Sequence, residues 1–290
     1  MSLSPGTRAV AYMSASALLF ASMGVLIRLV SHQADNLSIV FARNLVATVV
    51  MAPWMLRHGF SDFRTPRLAL HLGRALVGLG SMYGFFYALA HIPLANAMVF
   101  TYSAPVFIPV FAWLLLDERI HARVILATAL GFLGVILVCR PQGPALWNLY
   151  TLIGIASALL AALAFVAVRA LSSSEKPSRI VFLFACISTL ISGLVFLGMG
   201  SRPPMSSLTL LLAIGLIATL SQLCLSRAYA LAAASRIGPV NYLSIVIAGF
   251  YGWALWGERP SPSSLAGFAL IIVATLLCLN ARRPAPSPPA

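Results

Sequence analysis

Long apolar runs are the feature that most limits how this chain of 290 residues can fold. Each run has about the 18 or more residues that a helix needs to cross roughly 30 Å of hydrocarbon. Since lipid offers no hydrogen-bond partner to a free peptide group, such segments must be helical. We therefore predict an all-α integral membrane protein with ten transmembrane helices, at residues 9–30, 37–56, 68–90, 94–116, 122–139, 149–170, 178–198, 207–231, 237–257 and 263–280.

The distribution of positive charge predicts the orientation of the chain. Only 9% of the residues are charged, yet the net charge is +13. If the amino terminus lies inside, eleven Lys and Arg residues fall in inside segments, whereas only Arg140, Arg202 and Arg259 fall outside. This asymmetry predicts that both termini are cytoplasmic. It also explains the basic composition without a nucleic-acid partner.

The second half of the chain repeats the first. Segment 87–119 returns, shorter and diverged, as segment 229–259, and a further match lies near the start of each half. Each half has five spans, an odd number, so the second half must cross the membrane in the opposite sense. We predict two inverted five-helix repeats, residues 1–140 and 141–283, followed by a disordered tail at 284–290. The equivalent pairs include Tyr102 and Tyr242, Glu118 and Glu258, Ser16 and Ser157, and Arg28 and Arg169.

Arg43 is the deepest cation, about two turns inside the second span. Burying a guanidinium there costs at least about 3 kcal/mol unless it faces water or a partner. Its forked donors match a carboxylate, so it predicts a site for an anion or a zwitterion. The alternative is a structural arginine that binds helix-end carbonyls or another span. For arginines nearer span ends, snorkelling to the headgroups is a sufficient explanation, and these are Arg28, Arg74, Arg169 and Arg227.

Amides and tyrosines within the spans complete the predicted substrate site. Amide side chains both donate and accept hydrogen bonds, and interhelical bonding is their alternative role. Tyrosine rings can stack on a substrate, with core packing as the alternative. Prolines near residues 105, 109 and 239 predict helix breaks beside two of these tyrosines. The full candidate set is Arg43, Asn44, Tyr83, Tyr102, Gln222, Asn241 and Tyr242.

The acidic residues and histidines argue against several other functions. All six carboxylates lie in loops or at span ends, which disfavours a cation exporter built on a buried carboxylate. Glu118 beside Arg119 and Glu258 beside Arg259 are interpreted as solvated helix ends, with gate ion pairs as the alternative. The histidines also lie at loops or span ends, so we expect no enzyme. The four cysteines lack metal-ligand spacing, and no nucleotide-binding Gly-rich loop is present, so we expect neither metal nor cofactor.

Taken together, these features resemble the drug/metabolite transporter superfamily, specifically its EamA-type members. The resemblance rests on the inverted halves, the arginine in the second span, and the Glu that closes the fourth and ninth spans before a Gly-Phe-Leu-Gly or Ala-Gly-Phe opening. It implies a multi-pass carrier of the bacterial inner membrane. It also implies a central cleft walled by spans 1, 3, 4, 6, 8 and 9.

The leading hypothesis is a secondary transporter that exports small amino-acid-derived metabolites bearing carboxylates, such as amino acids or opine-type metallophores, by alternating access. One alternative is an importer of a metabolite such as S-adenosylmethionine. Alternatives from other classes are a non-transporting membrane partner of a complex and an intramembrane enzyme. The expected partners are a small-molecule substrate and the lipid bilayer, and the sequence leaves a homodimer open.

Overall fold

The computed structural model describes residues 4–57, 65–91, 98–100, 102–140 and 149–279. Within these ranges all regular structure is helical. The long helices are α1 Pro5–Val30, α2 Asn36–Arg57, α3 Leu68–His91, α4 Ala104–Leu116, α5 Ala122–Cys139, α6 Leu149–Leu171, α7 Pro177–Met199, α8 Leu208–Leu231, α9 Leu243–Trp256 and α10 Pro262–Leu279.

Seven helical segments of the described chain are long and apolar enough to cross a membrane. The chain is therefore a multi-pass membrane protein, whereas the count of ten spans stays a prediction. Among the helices at the other predicted spans, α9 has 14 residues and α10 has 18. The seven segments are Pro5–Val30, Asn36–Arg57, Met98–Leu116, Ala122–Cys139, Leu149–Leu171, Pro177–Met199 and Met205–Leu231.

The outer surface of the bundle is apolar. On α7, the side chains of Leu190, Leu194 and Leu197 are 71%, 73% and 81% exposed. Trp113 and Trp253, which occupy equivalent positions in the two halves, are also exposed. Such continuous apolar exposure is unfavourable in water and favourable against lipid tails.

Local sequence signals place several helix ends. Asp35 precedes α2, and its Oδ1 accepts a hydrogen bond of 2.8 Å from the Ser38 amide, as an N-cap residue does. At the ends of α4 and α9, Asp117 and Gly257 adopt left-handed backbone conformations, with φ of 52° and 67°. These turns fold the next residue back over the helix end. The chain positions Glu118 and Glu258 in this way.

Helices of one half pack against helices of the other. α1 packs along α8, and α3 packs along α6. In the first contact, the Ser16 hydroxyl donates to the Ser221 carbonyl at 3.0 Å. In the second, the Ser157 hydroxyl donates to the Ser81 carbonyl at 2.7 Å. Small hydroxyl residues let these helices approach closely and join them by hydrogen bonds.

Two further helix pairs, α2 with α7 and α5 with α10, also join the halves. Thr48 on α2 and Thr189 on α7 share a hydrogen bond of 2.9 Å between their hydroxyls. Between α5 and α10, a Cβ added at Gly134 would lie 2.7 Å from the Gly267 carbonyl oxygen, and one added at Gly267 would lie 2.6 Å from that of Gly134. The two backbones therefore approach so closely that only glycine fits at either position.

The helix breaks predicted near Pro105 and Pro239 are present, whereas α4 continues through Pro109 without a break. In the first half, α4 begins at Ala104, after turn residues at positions 102 and 103. In the second, a short helix, Ala234–Ile237, and a 3₁₀ turn, Gly238–Tyr242, come before α9. Tyr102 and Tyr242 therefore stand at the point where each long helix starts, as the prolines predicted.

Candidate functional site

Arg43 lies in the protein interior, on the second turn of α2. Its side chain is 8% exposed, and Nη1 donates to the Met82 thioether sulfur at 3.0 Å. A thioether is a weak acceptor, so this bond compensates little of the cost of burying the charge. No carboxylate pairs with Arg43 among the residues that the structure describes.

A small cavity of about 10 Å³ adjoins Arg43, with room for about one water molecule. Its walls come from α2, α7 and α8, of which only α8 belongs to the central set of spans that the family resemblance implies. The structure brings together the predicted residues Arg43, Asn44 and Gln222 at this cavity. The lining residues are Arg43, Asn44, Ala47, Val181, Phe184, Ala185, Ala218, Thr219 and Gln222.

Arg74 belongs to the same site, and the interpretation of it as a snorkelling side chain is wrong. The residue is 4% exposed, and its Nη2 donates to the Gln222 Oε1 at 3.1 Å. Its guanidinium carbon stands 3.9 Å from the centre of the Phe184 ring, a stacked cation–π contact. The sequence did hold a signal: Arg74 lies about 9 Å along α3 from Leu68, nearly as deep into its helix as Arg43 is into α2.

The other predicted site residues lie elsewhere or lack a described partner. Tyr102 and Tyr242 pack in one apolar cluster beside α5 and α10. Tyr242 is fully buried and its hydroxyl has no partner within the described residues, and the same holds for the Tyr83 hydroxyl. Asn241 is partly buried in the 3₁₀ turn before α9. The substrate roles of these four residues stay predictions.

A buried acid–base cluster lies one helical turn from Arg74. His71 on α3 is 1% exposed, and its Nε2 stands 3.7 Å from the Glu175 Oε2. Glu175 also accepts hydrogen bonds from the Thr65 hydroxyl at 2.5 Å and from Arg179 Nη1 at 3.2 Å. His71 and Glu175 lie near helix ends, as predicted, but both are buried in the folded protein. Position along the chain is therefore a poor guide to their exposure.

Glu118 forms a partly buried network at one end of the bundle, where its side chain is 11% exposed, which corrects its interpretation as a solvated helix end. Its carboxylate accepts hydrogen bonds from Arg169 Nε at 3.1 Å and from the Ala234 amide at 3.1 Å. It also accepts from the amide and hydroxyl of Ser235 at 3.2 and 3.1 Å. Arg169 in turn donates to the Tyr229 carbonyl at 2.8 Å. The partner of Glu118 is thus Arg169, not its neighbour Arg119.

Glu258 forms the equivalent pair at the other end. Its Oε1 accepts from Arg28 Nη1 at 2.8 Å, so its partner is Arg28 rather than Arg259. The two side chains are 52% and 55% exposed. Arg28 also stacks on the Trp256 ring, 4.1 Å from its centre. Both arginines were expected only to snorkel, yet each pairs with a glutamate from the opposite half.

Known proteins with similar sequences are membrane transporters. The pseudopaline exporter of Pseudomonas aeruginosa is 32% identical over 258 residues, which cover 89% of this chain and 90% of that protein. The riboflavin transporter of Brucella anthropi is 28% identical over 83% of this chain and 87% of its own length. An S-adenosylmethionine uptake transporter of Rickettsia bellii is 25% identical over 87% of this chain and 86% of its own length.

Structure and family comparisons agree with these relatives. One crystal structure matches with a TM-score of 0.80 and 19% identity, covering 96% of this chain and 98% of the other, which shows a shared fold. The model of the EamA-like transporter family matches residues 7–140 and again residues 148–280. The chain therefore belongs to the EamA-like transporter family and is a transporter rather than an enzyme.

Proposed function

We propose that this transporter exports small amino-acid-derived metabolites that carry carboxylates. The observation that carries the proposal is the buried Arg43, whose positive charge meets no carboxylate in the described chain. Holding a guanidinium in the interior costs several kcal/mol, which a bound carboxylate would offset through a forked, charge-assisted hydrogen bond. Substrate binding would thereby complete an ion pair for which the described residues supply only the guanidinium.

Transport would follow alternating access between two inverted five-helix halves. Three contacts between the halves support this arrangement. The serine bonds of α1 to α8 and of α6 to α3 start from the equivalent residues Ser16 and Ser157. The Thr48 to Thr189 bond joins residues 141 apart, the displacement of the repeat itself. A pseudo-two-fold axis between the halves would produce this pattern.

The positions of the two glutamates also support inversion. Glu118 and Glu258 are equivalent in the repeat, yet they lie at opposite ends of α1. The start of α1 lies beside the short helix Ala234–Ile237, which bonds Glu118, whereas Arg28 in the last turn of α1 pairs with Glu258. A helix of 26 residues is about 39 Å long. With the amino terminus inside, the Glu118 end would face the cytoplasm, as the charge asymmetry predicts.

Among the relatives, the pseudopaline exporter favours export as the direction of transport, since it shares the highest identity of the three. An S-adenosylmethionine importer is the second candidate, because such a transporter is 25% identical. The site disfavours that substrate. A sulfonium compound with a free amine is cationic, and like charges repel it from a cavity beside two buried arginines.

The test compares metabolites released into the medium by bacterial cells that express the wild-type protein, Arg43→Ala, Arg202→Ala or no transporter. Arg202 is an exposed arginine on the loop between α7 and α8, so it controls for loss of a positive charge alone. We expect carboxylate-bearing compounds in the medium of wild-type and Arg202→Ala cells. The Arg43→Ala cells should release the same amount as cells without transporter.

The membrane content of each variant, measured by immunoblotting, controls for folding. Full export by Arg43→Ala would refute the role of Arg43. If the protein causes uptake of compounds from the medium and no release, the direction of transport is import rather than export.

A further inference from the structure

Arg74 gives the site a second buried positive charge. Of the five N–H donors of its guanidinium, only those on Nη2 have a hydrogen-bond partner in the described part of the chain, the Gln222 Oε1 at 3.1 Å. Nε and Nη1 are buried and have no hydrogen-bond partner among the described residues. The ring of Phe184 covers the guanidinium face but accepts no hydrogen bond from its edge. The edge of Arg74 is therefore free for an acceptor that the described residues do not supply.

Arg74 and Arg43 belong to one site because they share two neighbours. Phe184 and Gln222 line the cavity beside Arg43, and both contact Arg74. The two positive charges repel each other across this space. In a protein interior, where the effective dielectric constant is low, such repulsion adds to the cost of burying each charge.

The described residues supply no negative charge that would balance this pair. Glu175, one helical turn away beside His71, is already engaged by Thr65 and Arg179. Neither Arg43 nor Arg74 forms an ion pair with a described residue, whereas the less buried Arg169 pairs with Glu118. A buried cluster of two unpaired cations is unfavourable in a structural element and favourable in a binding site for anions.

We infer that the substrate carries at least two carboxylates, one bound by Arg43 and one by Arg74. The inference rests on the proposed function and narrows its substrate class to dicarboxylic or tricarboxylic metabolites. Each guanidinium presents two parallel N–H donors to a carboxylate, so a substrate with two such groups completes both ion pairs. A monocarboxylate leaves one guanidinium buried and unpaired, which lowers its affinity.

The small size of the cavity indicates how such a substrate would enter. At about 10 Å³ it has room for about one water molecule, so binding requires α2 and α3 to separate from α7 and α8. Separation breaks the hydrogen bonds of Arg74 to Gln222 and of Arg43 to Met82. The Gln222 amide is an uncharged acceptor, and the Met82 thioether is a weak one. The substrate carboxylates then replace these acceptors with charged ones, and the binding energy offsets the opening.

The experiment uses as its probe the compounds that wild-type cells release and Arg43→Ala cells do not. Esterification before mass spectrometry adds one alkyl group for each carboxylate and so counts them. We expect two or more. Arg74→Gln should lower the release of these compounds by at least about tenfold, because one carboxylate loses its charged partner. The exposed Arg202→Gln serves as the matched control and should release wild-type amounts.

Arg74→Lys separates a binding role from a packing role. It keeps a positive charge but loses the fork and most of the ring stacking. We expect it to release the dicarboxylic compounds at a level between wild type and Arg74→Gln, with equal protein in the membrane. If Arg74 only packs against Phe184, both variants will instead lower protein content and release in proportion.

The outcomes distinguish this inference from the proposed function. Released compounds with a single carboxylate, or full release by Arg74→Gln, would overturn the inference and leave export of carboxylates intact. If no released compound depends on the wild-type protein, the proposed function fails and the inference fails with it.

Discussion

The two ends of the bundle carry equivalent Glu–Arg pairs in different environments. At the Glu118 end, the carboxylate of Glu118 is 11% exposed and accepts four hydrogen bonds, from Arg169, Ala234 and Ser235. At the Glu258 end, the Glu258 carboxylate is 55% exposed, and Arg28 is its side-chain ion-pair partner. The repeat supplies the same residue types twice. The surroundings leave the Glu118–Arg169 pair partly buried and the Glu258–Arg28 pair exposed to solvent.

This difference has an energetic meaning. Breaking a buried, hydrogen-bonded charge pair costs several kcal/mol, whereas an exposed pair contributes about 0 to 1 kcal/mol. In this conformation the Glu118 end is therefore held together more firmly than the Glu258 end. For a protein that alternates between states, the firm end is the one that must be released before the substrate leaves on that side.

The largest expected effect comes from removing the charge of each glutamate. Glu118→Gln leaves Arg169 unpaired and weakens the contact to Ala234 and Ser235, so we expect a loss of about 2–3 kcal/mol. This loss would lower the melting temperature in detergent by several degrees. Glu258→Gln should cost less than about 1 kcal/mol. Equal losses of stability for the two variants would contradict the conclusion that the Glu118 end is held together more firmly.

Exchanging the charges of each pair should have unequal results. In the double variant Glu258→Arg with Arg28→Glu, the exposed pair re-forms, and we expect stability and transport close to wild type. In Glu118→Arg with Arg169→Glu, the new arginine cannot accept bonds from the Ala234 and Ser235 amides, since a guanidinium has donors only. We expect this double variant to stay at least about 2 kcal/mol less stable than wild type. Wild-type stability in both double variants would show that the ion pair alone stabilises the Glu118 end.

A smaller effect is expected from single hydroxyls at each end. Ser235→Ala removes one hydrogen bond to the Glu118 carboxylate and should cost about 1 kcal/mol. Ser31→Ala, the matched control, removes an exposed bond to the Arg28 carbonyl, so its cost should stay below about 0.5 kcal/mol. Thermal unfolding of the two purified variants measures the difference. A cost for Ser31→Ala as large as that for Ser235→Ala would remove the distinction between the ends.

A further small effect is expected from the Trp256 ring that stacks on Arg28. Trp256→Leu removes an exposed cation–π contact, worth about 0.5–1 kcal/mol. Because the neighbouring Glu258 pair is exposed, the effect of Glu258→Gln should shrink further in high salt, whereas that of Glu118→Gln should persist. Melting curves at low and high salt check both expectations. A Glu118→Gln effect that disappears in salt would mean that the Glu118 network is solvated.

Much of the fold follows from local sequence. The apolar runs predicted where the helices lie, and the prolines near residues 105 and 239 predicted the breaks beside Tyr102 and Tyr242. Arg43 was identified from its depth in a single span. The partners of Glu118 and Glu258 were not, because each lies in the opposite half, 51 residues away for Arg169 and 230 for Arg28. Adjacent arginines were the only partners that the local sequence could suggest.

By itself, the sequence determined that this is an all-helical membrane protein with a repeated plan and a deep arginine. Those properties depend on the hydrophobicity and the spacing of residues within one chain segment. Hydrophobicity and spacing can both be read directly from the sequence. Only the tertiary structure decided that Arg74 joins Arg43 and Gln222, and that the Glu118 side chain is 11% exposed whereas that of Glu258 is 55% exposed. Burial and pairing depend on which helices pack together, and interhelical contacts in a membrane are set by shape and hydrogen bonding rather than by the apolar pattern that all spans share.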